Sequence, residues 1–290
     1  MRFGDTFIDL WGFQIYYYGI LIASGILAAF IVGFVLCTRV VKFPEEVAYV
    51  VLLLAVPIGV VCARLCYVFF DIVEHGLERY ESLADVFDTR GGGMAIYGGI
   101  IGGALGIFIA SRLKVVKRTG AGFFAITDIT LVGVLLAQSI GRWGNFVNQE
   151  AYGSPTSFHV FPFAVKITKP IGQRACEHFT PECWHVATFF YESMLNLIGF
   201  AVLLFLFLYL TKRGMRYNGL VSGLYLIWYG LVRAILEPLR TDTPLLFGTG
   251  DIVINRVYFL MSVAIFVIGA ILVWWAWRKK HLTQATKTDT

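Results

Sequence analysis

Hydrophobic residues fill this chain in long runs, each bounded by a short cluster of charge. The runs lie at 14–37, 47–70, 93–111, 122–141, 188–210, 219–237 and 254–276. Each is close to the roughly twenty residues that an α-helix needs to cross the hydrocarbon of a bilayer. The pattern predicts an all-α integral membrane protein with seven transmembrane helices. Basic residues set its orientation. Arg39 and Lys42, the cluster from Arg112 to Arg118, that from Lys212 to Arg216, and that from Arg278 to Lys287 share one side if the chain crosses seven times. Short loops rich in Lys and Arg remain cytoplasmic, so the N-terminus is expected outside and the C-terminus in the cytoplasm.

The opposite side carries the longer connections, namely the acidic stretch 71–90 and the stretch 142–187 between helices 4 and 5. In the latter, Pro155, Pro162, Pro170 and Pro181 interleave with alternating apolar residues Phe161, Phe163 and Val165. Such alternation between turn formers suggests short strands, hence a small extracytoplasmic cap at 142–187 inserted in a single membrane domain spanning 1–290.

Composition agrees with the run pattern: 58% of the 290 residues are hydrophobic, 15% are charged and the mean hydropathy is +0.72. The net charge of +5 comes mainly from the basic loops. No basic stripe is interleaved with aromatics, so no nucleic-acid partner is expected. Met1 to Gly12 is mixed in character and lacks the pattern of a cleavable signal peptide. Cys37, Cys62 and Cys66 fall inside predicted helices, where packing is their expected role. Cys176 and Cys183 fall in the outer stretch, where oxidising conditions could join them or leave them free.

Polar groups inside the apolar runs then carry the picture further, because each is costly in hydrocarbon. At the end of the fourth run stands GRWGNFVNQEAYG, Gly141 to Gly153. On a helix, Arg142, Asn145 and Asn148 or Gln149 share a face, while Gly141 and Gly144 admit close backbone approach. With the predicted topology, Tyr16, Tyr17 and Tyr18, Arg64, Tyr97, Arg142, Arg233 and Glu237 all fall in the outer half. An arginine in hydrocarbon costs roughly 3 kcal/mol on insertion scales, so three at one depth argue for a shared polar cavity. Arg233 and Glu237 are an i, i+4 pair with Arg240 a turn further. Glu237 reads equally as an ion-pair partner that orients the helix, and Arg64 as structural or as part of the cavity. Two guanidinium groups suit bidentate contact with a phosphate, the anion an outer leaflet supplies. Asp128 lies nearer the cytoplasmic side, as a structural hydrogen-bonding group. Gly98, Gly102 and Gly106 form a small-residue stripe suited to helix packing, and Gly91 to Gly93 permit irregular backbone beside a cavity.

The histidines lie outside the runs, so no Ser-His-Asp or Cys-His set assembles at the arginine depth. No HExxH or paired-carboxylate motif is present, and neither metal nor organic cofactor is expected. The cavity reads as one that holds an anion while another molecule brings the nucleophile.

GRWGNFVNQEAYG resembles the GRxGNFxNxE signature of the bacterial prolipoprotein diacylglyceryl transferases. GGGMAIYGG at 91–99, TFFYES at 188–193 and GLYLIWYGLVRAILEPLR at 223–240 follow in the family's order over nearly the whole chain. The resemblance implies transfer of the diacylglyceryl group of phosphatidylglycerol to the lipobox cysteine thiol of a preprolipoprotein, forming a thioether and releasing glycerol phosphate. It places Arg142, Asn145, Asn148, Glu150 and Gly153 among signature residues, Arg233, Glu237 and Arg240 as late-helix charges, and Tyr18 and Tyr229 as site tyrosines. Arg142 and Arg233 would then hold the phosphate. Asn145 and Asn148 would donate to phosphate or glycerol oxygens, or cap the helix. Glu150 would position an arginine or the glycerol hydroxyls.

Two departures from the family pattern stand out. Tyr97 occupies the position of a histidine that would suit a general base. A phenol with a pKa near ~10 is a poor base at neutral pH, so Tyr97 either has a lowered pKa or orients the lipid while the leaving phosphate takes the proton. HVATFFYES replaces HPTFLYES, so no role is transferred to His185. A phospholipid transporter or scramblase would use the same basic cavity without bond making, and a scaffold would simply pair its charges. A transporter is expected to show internal repeats, and none is visible.

Overall fold

The computed structural model describes residues 2–3, 6–11, 13–80, 82–88, 92–167, 184–215, 218–239 and 251–288. Six helices are long and apolar enough to cross a membrane, within Tyr17–Val40, Glu45–His75, Phe123–Asn148, Thr188–Lys212, Leu220–Leu239 and Phe259–Lys279. A shorter apolar helix, Ile96–Arg112, has 17 residues. The protein is thus an all-α, multi-spanning membrane protein. Its polarity is that of a chain dissolved in lipid: Leu53, Ile101, Phe205 and Leu260 face outward, while Asp128, Glu192, Asn196 and Glu237 are buried. Residues 33–129 form one compact unit, and residues 1–32 with 130–290 form another.

The unit of residues 33–129 starts with the last residues of α1 (Tyr17–Val35) and the π-helical turn Leu36–Val40 that closes it, and α2 (Glu45–His75) follows Pro44 with Glu45 and Glu46 in its first turn. Carboxylates there favour the positive end of the helix dipole. At its far end, Asp71 meets Arg79 at 3.2 Å and accepts a 2.9 Å hydrogen bond from Tyr80. Burial, and next that bond, raise the Tyr80 hydroxyl above the ordinary phenol pKa. The short helix α3 (Leu83–Phe87) is held by a capping box of Ser82 and Asp85. Next, α4 (Ile96–Arg112) packs along α2 through the expected glycine stripe. A Cβ on Gly102 or Gly106 would lie 2.6 Å from Cys62 Cβ or Ala55 Cα. A four-residue helix α5 (Lys114–Lys117) closes the unit, and α6 (Phe123–Asn148) begins there. Cys37 is buried, and Cys62 and Cys66 are half-buried free thiols.

The other unit begins with β1 (Arg2–Phe3), β2 (Phe7–Leu10) and β3 (Phe13–Tyr16), an antiparallel sheet in sequence order. Hydrophobic patterning assigns 14–16 to the first span, whereas the helix starts at Tyr17. Further on, β4 (Ala164–Lys166) pairs antiparallel with β5 (Trp184–Val186) in the register Val165↔His185. These are short strands of the kind expected for 142–187. Tyr152, Val165, Ile167, Ala187 and Phe189 form their core, with Trp143, Phe146 and Phe190 packed against it. Then come α7 (Thr188–Lys212), α8 (Leu220–Leu236) with a 3-10 turn at Glu237–Leu239, and α9 (Asp251–Thr288), which packs along α8. Cys176, Cys183, Arg240 and Gly91 lie outside the described residues.

Candidate functional site

Three helices bring four charges together. Arg142 is in the last two turns of α6, Glu192 in the second turn of α7, and Arg233 in the last turn of α8 with Glu237 directly after it. Arg142 Nη2 lies 2.6 Å from Glu192 Oε1, and Arg233 Nη1 lies 3.8 Å from Glu192 Oε2. One carboxylate therefore bridges two helices' cations. Arg233 Nη2 also lies 2.6 Å from Glu237 Oε2, the i, i+4 pair expected from spacing. The 2.6 Å contacts are charge contacts rather than aligned hydrogen bonds. Side-chain exposure is 2% for Glu192 and 1% for Glu237 but 15% for each arginine. The carboxylates are thus fully buried, while each arginine side chain keeps some exposure.

The register of α6 against α7 is fixed just beneath. Ser193 Oγ donates to the Ser139 carbonyl at 2.9 Å, lies 3.0 Å from Ser139 Oγ and accepts from Trp143 Nε1 at 3.2 Å. Gln138 donates to Tyr225 Oη at 2.9 Å, and the Tyr225 ring stacks on Tyr229 at 6.1 Å. Arg142 Nη1 donates to Asn145 Oδ1 at 3.3 Å, so those residues share a face as their spacing requires. The helix ends at Asn148, because Gln149 adopts φ 57° in the left-handed region. Gln149 accordingly leaves the helical face. Asn148 Nδ2 donates to Glu150 Oε1, which holds that carboxylate near the helix end. Tyr18 packs its ring where a Cβ on Gly144 would stand, 2.7 Å from Cδ2, and lies within electrostatic reach of Glu150 and Arg142.

Beyond Glu150 the main chain is knitted to β5, just before α7, and to the 3-10 turn that follows α8. Gly153 N–H donates to the Val186 carbonyl at 2.7 Å, and Ser154 N–H donates to the Leu239 carbonyl at 3.2 Å. A Cβ at Gly153 would stand 2.7 Å from the Leu239 oxygen, so only glycine permits this approach. Thr188 Oγ1 donates to the Ala151 carbonyl, and buried His185 places Nδ1 2.8 Å from the Gly153 oxygen.

Arg64 and Tyr97 belong to the unit of residues 33–129. Arg64 is buried and donates to the carbonyls of Val86 (2.7 Å), Asp85 (2.9 Å), Gly93 (2.9 Å) and Gly92 (3.2 Å). Gly92 and Gly93 have φ of 89° and 72°, the irregular backbone expected there, and the guanidinium satisfies the carbonyls it leaves unpaired. Tyr97 stands in the first turn of α4 and is 37% exposed.

Glu192 is the site member that sequence reasoning passed over. Its signal was present: a carboxylate in an apolar span is costly and needs a partner.

Buried charges converging among apolar helices define a polytopic membrane protein with an internal cluster of paired charges. The profile of the prolipoprotein diacylglyceryl transferase family matches residues 5–275. The phosphatidylglycerol–prolipoprotein diacylglyceryl transferase of Finegoldia magna is 34% identical over 281 residues, covering 97% of each chain. That of Geobacillus kaustophilus is 34% identical over 268 residues, 91% of each, and that of Streptococcus pneumoniae strain Hungary19A-6 is 32% identical over 274 residues, 94% of each. The chain belongs to the prolipoprotein diacylglyceryl transferase family. It is a multi-pass transferase of the bacterial inner membrane.

Proposed function

We propose that the protein transfers the diacylglyceryl group of phosphatidylglycerol to the lipobox cysteine thiol of preprolipoproteins, with the lipid phosphate held between Arg142 and Arg233. The observation that carries this reading is the bridging of the two partly exposed arginines by one buried carboxylate, Glu192. The cysteine sulfur attacks the glycerol carbon that bears the phosphate ester. A C–S bond forms, the C–O bond breaks with its electron pair on oxygen, and glycerol phosphate departs with the thiol proton as the net result. The arginines offset charge on the departing phosphate. Glu192 spaces them, Asn145 orients Arg142, and Asn148 holds Glu150 toward the glycerol end. Tyr18 and Tyr229 line the site, and Gly153 acts through the backbone approach it permits. Arg64 supports irregular backbone. Tyr97 is assigned from the family pattern alone as a lipid-orienting group, and Arg240 likewise as a late-helix charge.

The same reading takes Ile96–Arg112 as the seventh span. Its 17 residues cover about 26 Å at 1.5 Å per residue, slightly less than the ~30 Å of hydrocarbon. Seven spans with basic loops inside place the N-terminus and the 142–187 cap outside and the C-terminus in the cytoplasm.

The test is transfer of labelled diacylglyceryl from phosphatidylglycerol to a lipobox peptide by the purified protein. Arg142→Ala and Arg233→Ala should each cut kcat/KM by about 100- to 1,000-fold while remaining folded. Tyr97→Phe reports on the phenol. Wild type that binds the lipid yet forms no thioether would leave a lipid-handling protein instead of an enzyme.

A further inference from the structure

Among the described residues β4 has a strand partner on one side only, and a cleft lined in part by the last turn of α6 adjoins it. On its inner side it pairs with β5, which is paired in turn along its far edge by Ser154 and Thr156: Val186 N–H donates to the Ser154 carbonyl and Thr156 N–H to the Trp184 carbonyl. Hydrogen-bonding direction alternates along a strand. Phe163 accepts from Ala187 on the β5 side, and Val165 is opposite His185. The Lys166 N–H and C=O and the Ala164 C=O therefore point to the outer edge. No other strand among the described residues pairs there. A cleft of about 450 Å³ adjoins it, lined by Tyr17, Phe146, Val147, Gln149, Val165 and Lys166.

We infer that this edge and cleft bind the protein substrate, taking the residues that follow its acceptor cysteine as an added antiparallel or parallel strand beside β4. An unpaired strand edge is a template for an extended peptide, with main-chain bonds giving affinity and adjoining pockets receiving alternate side chains. Position selects this occupant. Phe146 lies four residues beyond Arg142 on α6, about 6 Å along the helix, and Asn148, which precedes Gln149, lies six residues or about 9 Å beyond it. Three residues of extended peptide also cover about 10 Å. A thiol at the arginines thus places the third residue away from the cysteine beside β4. The cleft lies where α6 leaves its apolar run, so the segment it receives is the one leaving the bilayer. Apolar walls from Phe146, Val147 and Val165 accept small side chains, and exposed Lys166 suits a peptide carbonyl or an acidic side chain.

This inference rests on the transferase reading, and one experiment separates the two. Full-length protein in detergent with phosphatidylglycerol is given lipobox peptides N-methylated at single backbone positions after the cysteine. N-methylation deletes one donor and blocks strand pairing without altering a side chain. Peptide KM should rise about tenfold at alternate positions and stay near the parent value between them, with lipid KM unchanged throughout. Lys166→Pro removes an outward N–H that the β4–β5 ladder does not use, and should raise peptide KM alone. A series with no alternation would overturn the strand reading while transfer to the parent peptide continued. If the parent peptide is never labelled, the transferase reading itself fails.

Discussion

Arg142, Arg233, Glu192 and Glu237 sum to zero charge while the site holds no anion. A phosphodiester adds one negative charge to them. Removing one partner of a buried ion pair typically costs about 3–5 kcal/mol, because the other charge is left uncompensated. Glu192→Ala should therefore lower the melting temperature by several degrees. Phosphatidylglycerol should restore more of it in this variant than in wild type, since the lipid phosphate replaces the missing charge. Melting curves with and without the lipid, against diacylglycerol as an uncharged control, read this directly; equal lipid shifts in both proteins would refute the bridging role. At this scale the cations were legible from sequence because a charge in an apolar run demands explanation. Which carboxylate answers Arg142 was not, since Glu192 is fifty positions away in sequence and meets it only through the pairing of α6 with α7.

Element boundaries follow the same divide. Long apolar runs gave the helices because length alone separates a span from a strand. The segment FIDLWGFQIY was opaque, being short and mixed in character where it runs into the first apolar span, and it folds as β2 and β3. The glycine stripe was readable as packing, and α4 uses it against α2. Gly102→Leu would place its side chain against Cys62 and the Ile58 carbonyl, each 2.6 Å from the Cβ position. Overpacking of this kind costs about 1–3 kcal/mol. Lowered thermal stability with preserved lipid KM is expected, and an unchanged melting curve would show that the two helices separate freely. Gly153 stands in the signature, but its reason, contact with the Leu239 carbonyl, belongs to three-dimensional proximity. Gly153→Ala should cost activity without removing any polar group, measurable as a fall in kcat/KM.

For the molecule as a whole, seven spans and six differ in one observable. With the N-terminus outside, seven spans put the C-terminus in the cytoplasm, and a C-terminal fluorescent fusion should fold and emit while a phosphatase fusion stays inactive. The reverse would remove Ile96–Arg112 from the count of spans. The long apolar helices were legible in the sequence because lipid imposes their length and composition on every segment independently. The convergence of α6, α7 and α8 was not, because it depends on contacts between segments. Those contacts include a main-chain seam: Gly153 bonds to Val186 and Ser154 to Leu239. The spacing of two charges on different helices is thus tied to the number of residues between Arg142 and Ser154, whatever their outward side chains are. A two-residue insertion after Ser157 lies past the seam and should leave transfer intact, whereas the same insertion after Glu150 should abolish it. The segment from Arg142 to Ser154 behaves as a ruler whose markings can be repainted and whose length cannot change.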